Sequence, residues 1–142
     1  MAVPFRFDTV LRVREAERDR CRVVLVQEQQ HEAALNAERQ RVSTEREQAL
    51  DDLRQIQERG ECSAEQSLTR RQHAERLAHE LDRIVFKLED AAASVSRCRS
   101  ELLEADTAVK GLEKLAGRQA SDELRAEQSA AERDREDNWR AA

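Results

Sequence analysis

The sequence predicts an all-α protein, a long antiparallel coiled-coil hairpin of two helices. Three observations carry this: the near absence of helix breakers, an apolar stripe repeating every 3.5 residues, and a single turn signal in mid-chain. The 142 residues include only three Gly and one Pro. The proline is Pro4, so everything after it can stay helical. Apolar residues make up 39% of the chain and aromatic ones 3%, against 39% charged, which is too little apolar volume for a sizeable globular core. Such a composition also suits an unfolded chain, and periodicity decides between the two readings.

In the second half, alternate steps of three and four residues pick out Leu77, Leu81, Ile84, Leu88, Ala91, Val95, Cys98, Leu102, Ala105, Val109, Leu112 and Ala116. Every one is apolar, and about five heptads of such a pattern hold one stripe toward a partner helix. The first half keeps the same phase from Phe7 to Ile56, but six of its fifteen positions are charged: Arg14, Arg18, Glu28, Glu32, Arg39 and Arg46. A parallel homodimer would stack these charges on their own copies. Long side chains can instead lay their methylenes over small partners and lift the charge to water.

Arg59-Gly60-Glu61-Cys62-Ser63 is the mid-chain turn signal. Gly60 suits a left-handed helix end, and Ser63 with Gln66 reads as a capping box. The chain is accordingly read as one domain. Helix 1 covers about 6–58, the turn 59–63 and helix 2 about 64–138, with a C-terminal overhang from about 117. A constant residue sum of 123 aligns both stripes across a turn centred between Glu61 and Cys62. Leu35 then meets Leu88, and Arg18 meets Ala105. Cys21 and Cys98 fall in adjacent layers, which predicts reduced thiols. The helical rise gives about 78 Å for the first helix and about 110 Å for the second. The overhang therefore has no partner within the chain, and from Ser121 onward it is nearly all charged residues, Ala and Gln.

The same residues bound the function. The 25 Lys plus Arg and 30 Asp plus Glu are interleaved, with a formal net charge of -5, so no basic tract tracks a phosphate backbone and nucleic-acid binding is not expected. No apolar run approaches the roughly 18 residues of a membrane span, and the expectation is a cytoplasmic protein, peripheral to a membrane at most. The cysteines form no CxxC, and His73 and His79 lie on different helix faces, so no metal or other cofactor is expected. Two packed helices offer no concave pocket for a nucleophile and base, so no catalytic residues are expected and the chain is read as a non-enzyme.

The opening Phe5-Arg6-Phe7-Asp8-Thr9-Val10-Leu11-Arg12-Val13-Arg14-Glu15 resembles the start of the FliJ family of flagellar type III export proteins, related to the YscO-like proteins. Glu113-Lys114-Leu115-Ala116-Gly117-Arg118 is similar to the segment that precedes that family's Arg- and Glu-rich C-terminal helix. Two positions depart from its pattern: Gly117 stands where an acidic residue is expected, and Arg135-Glu136 stands where a Gln-Lys pair is usual. The resemblance implies a stalk that inserts into the hexameric export ATPase ring, links it to the cytoplasmic domain of the membrane-embedded export gate, and handles export chaperones. It directs attention to Phe5, Phe7, Arg14, Lys114, Arg118 and Trp139 as ATPase-end contacts, and to His73, Leu77 and Leu81 for gate or chaperone binding.

Each has a plainer reading beside it. Phe5 and Phe7 equally suit a terminal plug. Trp139 suits a lone surface aromatic. Arg14, Lys114 and Arg118 suit solvated ion pairs, and Leu77 and Leu81 belong to the seam. A stalk is expected to be a monomeric hairpin. The alternative, a generic scaffold or dimerising adaptor with no ATPase contact, could open at Gly60 into one long helix.

Overall fold

A computed structural model describes residues 4–60 and 63–142. Glu61 and Cys62, where the sum of 123 centres the turn, lie outside the described residues. Two helices and no strand make up the described chain: α1, Asp8–Arg59, and α2, Ala64–Ala141. They run for 52 and 78 residues and pack against each other as an all-α, two-helix hairpin.

The starts and the stop have local causes. Asp8 opens α1, its amide donating to the Phe5 carbonyl at 3.1 Å and its carboxylate pairing with Arg12 one turn on at 3.2 Å. An acidic first turn offsets the positive end of the helix dipole. At the other end of α1, Gly60 takes φ +68°, and its amide donates to the Gln57 carbonyl. A left-handed residue there ends the helix, and no other described residue has positive φ. Ser63 then starts α2 with a reciprocal cap. The Gln66 amide donates to Ser63 Oγ at 3.2 Å, and the Ser63 amide donates to Gln66 Oε1 at 3.4 Å. Ser63→Ala leaves the Gln66 amide without its side-chain acceptor and should lower stability by about 1 kcal/mol, measured by urea unfolding.

The chain divides into two compact units, Val24–Arg99 and Met1–Val23 with Ser100–Ala142. In the first, Val42, Leu77 and Ile84 form a buried cluster, with Ala49, Leu81 and Leu88 packed against it. Val42 and Leu81 sum to 123, and Leu77 and Ile84 flank that layer from either side. Leu35, Leu53, Ala74, Ala91, Val95 and Cys98 extend the buried stripe.

In the second unit the only fully or nearly buried side chains among the described residues are Ala105 and Val109, while Leu11, Cys21, Leu102, Leu112 and Ala116 are half-buried. Small residues on α2 leave room there for the half-buried Arg18 of α1. Cys21 and Cys98 are both free thiols.

All twelve apolar positions of the α2 stripe, Leu77 to Ala116, are buried or half-buried. Of the charged seam positions of α1, Arg18, Glu28 and Glu32 are half-buried, whereas Arg14, Arg39 and Arg46 are exposed. No polar or charged side chain is buried among the described residues. The seam also runs past Ala116 in polar form, because Gln119 and Glu123 keep its phase and stay half-buried. From Leu124 to the C-terminus every residue is exposed.

Candidate protein-interaction surfaces

The unit that holds the N-terminus carries most of the anticipated contact residues. Pro4 to Phe7 lie in irregular and turn backbone ahead of α1, and Gln119 of α2 holds them there. Its side-chain amide satisfies three groups. Nε2 donates to the Pro4 carbonyl at 3.3 Å and to Glu123 Oε1 at 3.0 Å, while Oε1 accepts from the Arg6 amide at 3.3 Å. A carboxamide carries separate donor and acceptor atoms and so can serve one backbone stretch with both at once. Gln119→Ala should free residues 4–7 at a cost of about 0.5–1 kcal/mol. Faster amide exchange at Arg6 and through the first turn of α1, with unchanged total helicity, is the expected reading.

The clamp sets Phe5 and Phe7 edge to face, with ring centroids 5.8 Å apart and planes at 76°, and the Arg6 guanidinium lies 5.4 Å from the Phe7 centroid. Phe5 is half-buried and Phe7 is 39% exposed, so the pair shows an aromatic edge to solvent. Together with Leu115, Arg118, Asp122 and Ala126 they line a shallow, largely apolar groove. Phe5, Phe7 and Arg118 are thus brought together.

The other three ATPase-end candidates are elsewhere on this unit. Lys114, one turn before Arg118 on α2, is exposed. Arg14 lies on α1 and pairs with Glu17 at 3.1 Å. Trp139 sits some 30 Å further along α2 than Arg118. It is 83% exposed, in a shallow surface with Arg135, Glu136 and Arg140.

The unit also carries a mixed-charge cluster. Lys110 Nζ meets Asp106 at 2.9 Å. That hydrogen bond holds the Asp106 carboxyl below its ordinary pKa; partial desolvation opposes it, and the charges of Lys110, Arg18 and Arg22 add to the lowering. Asp106 is therefore ionised at neutral pH, and whatever stability it lends is lost only as pH falls through the depressed folded value, below 3.8.

In the other unit, Leu77 is buried in the core cluster and Leu81 is half-buried against it. Both hold the helices together. His73 is exposed and shares a depression with Glu45, Gln48, Asp52 and Arg70. Two features here escaped sequence reasoning. Phe86 is 67% exposed on the outer face of α2. Nearby, Arg76, Arg83 and Lys87 line one cleft with His79, Glu80 and Glu38. Phe86 occupies the heptad position farthest from the seam, so no periodic signal marks it.

Among the described residues, no group of three or more His, Cys, Asp and Glu could hold a metal ion, and no helix is long and apolar enough to cross a membrane. The chain offers helix faces, shallow grooves and exposed aromatics, features that serve protein recognition where it occurs. Comparison with protein families adds the deciding observation: the model of the family described as "Flagellar FliJ protein" matches residues 3–138. The chain belongs to the flagellar FliJ family. The match spans both units, from the N-terminal aromatic pair to within one residue of Trp139. Membership makes this chain a component of the flagellar export apparatus, in a family that is non-enzymatic. Neither the curated proteins nor the solved structures include a match.

Proposed function

We propose that this FliJ-family chain is a stalk of the export apparatus that binds the export ATPase ring and links it to the cytoplasmic domain of the export gate and to export chaperones. The family match over residues 3–138 is the observation that carries the reading. In this proposal the ATPase meets the groove of Phe5, Phe7 and Arg118, with Lys114, Arg14 and Trp139 as outlying contacts. Arg118 and Lys114 supply positive charge beside an apolar edge, a combination suited to an acidic, partly apolar ring surface. The gate or a chaperone meets the unit Val24–Arg99 around His73. Leu77 and Leu81 act there by holding α2 in place, because their side chains are turned into the core. The chain works in the cytoplasm, peripheral to the membrane export apparatus, as a hairpin whose seam is satisfied within one polypeptide.

A pull-down from cytoplasmic lysate tests the reading, using the full chain and a version lacking residues 1–14 and 117–142, with retained proteins identified by mass spectrometry. Recovery of the export ATPase by the full chain and its loss from the shortened one is the expected result. If the full chain retains neither the ATPase nor a gate component, the stalk reading fails and a plain coiled-coil scaffold takes its place. Lys114→Glu with Arg118→Glu narrows the site, since both residues are exposed and off the seam.

A further inference from the structure

Two stretches of α2 are exposed, charged and unpaired within the chain. The first is the edge of Arg76, Arg83 and Lys87, three cations on one face of the helix that share a cleft with Glu80 and with Glu38 of α1. Among the described residues none of the three forms an ion pair, although seven ion pairs occur elsewhere. The second is the C-terminal tail, in which every residue from Leu124 is exposed and none is ion-paired. On one face it carries Glu127 and Asp134, in line with Glu123 at the end of the seam.

The spacings are complementary. Acids at 123, 127 and 134 are separated by four and then seven residues. Read in the opposite direction, the cations at 87, 83 and 76 are also separated by four and then seven. On a helix of 3.6 residues per turn each set falls within about 40°. An antiparallel approach therefore sets Glu127 against Arg83 and Asp134 against Arg76, and brings Lys87 level with Glu123, which is half-buried and already accepts from Gln119 Nε2. Ala130 falls opposite Glu80, where an acid would have repelled it. Both stretches belong to one uninterrupted helix, so a chain cannot lay its tail on its own edge.

We propose that the tail of one copy docks antiparallel on the Arg76–Lys87 edge of a second copy. The contact leaves the seam of each hairpin intact, so the self-associating unit is the folded hairpin. Exposed ion pairs supply the attraction, which makes the association weak, reversible and opposed by salt. The inference does not depend on the export ATPase or the gate.

Sedimentation velocity of the full chain alone provides the test, across a concentration series at low and high salt. Self-association at low salt that high salt suppresses is expected. Glu127→Arg with Asp134→Arg should weaken it about tenfold, and so should Arg76→Glu with Arg83→Glu, through lost pairs and new repulsion. An equimolar mixture of the two charge-reversed proteins should restore association, since tail and edge are again opposite in sign. All four positions are exposed, and unchanged circular dichroism confirms the fold. A single species at every concentration at low salt overturns the proposal. So does reversal of either set without effect, or a mixture that stays as weak as its components.

Discussion

Val42→Asp should be the most damaging single substitution in the unit Val24–Arg99, lowering its stability by about 3–5 kcal/mol through lost apolar burial and a stranded charge. Val42 is fully buried, packed with Leu77 and Ile84, and no buried polar group among the described residues stands ready to receive a carboxylate. The isopropyl group contributes by removing apolar surface from water. Its replacement adds the desolvation of an anion to that loss. A two-helix layer is thin, so the carboxylate can reach water by prising the helices apart, and the defect should appear as local opening around Val42. Hydrogen exchange would show it as lost protection in both helices at that layer. Burial favours the neutral acid and raises its folded pKa, so the defect should shrink as pH falls through that raised value and be smallest once pH is below the ordinary carboxyl range. Val24→Asp serves as the control. Val24 is already 42% exposed, and a change there should stay within about 0.5 kcal/mol of the unsubstituted chain.

Gly60→Val should cost about 1–2 kcal/mol for a different reason, since the penalty is conformational and no contact is involved. Gly60 has φ +68°, and a Cβ built there would meet nothing within 4 Å. Space is open, so the loss measures backbone strain alone. A series of Gly, Asn, Ala and Val at position 60 should lose stability in that order, because Asn tolerates the left-handed region better than Ala, and a β-branched residue tolerates it least. Thermal unfolding by circular dichroism checks the order. Asn falling below Val would mean that the turn is not held by the left-handed conformation of Gly60.

The fold was legible because its main signal is periodic. In α2 the alternate steps of three and four from Leu77 to Ala116 fall on apolar residues, and one stripe of that kind has few ways to be buried. In α1 the stripe is interrupted by charge, and sequence could not say which charged residues would stay near the seam. Arg18 is half-buried where α2 offers small side chains, whereas Arg14 reaches out to Glu17.

The candidate surfaces were harder to read, because contacts away from the seam leave no repeat. Gln119 looked like the decay of the stripe. Its amide instead holds backbone at both Pro4 and Arg6, a role that polarity alone does not announce. The cations at 76, 83 and 87 are interleaved with Glu75, Glu80 and Asp82, and only sorting by helix face separates them. Leu77 and Leu81 stood in both lists, seam and partner contact, and their side chains are in the core.

The Gln119 clamp also orders events in time. It joins residues 113 and 115 positions apart in the chain, and closing so long a loop costs more entropy than pairing residues near the turn. During synthesis the clamp cannot form until Gln119 has left the ribosome, long after Phe5 and Phe7 have done so. The nascent chain therefore cannot hold its aromatic pair in the clamp while most of α2 is still being made. Once Gln119 arrives, the two rings are fixed edge to face, with Phe7 39% exposed.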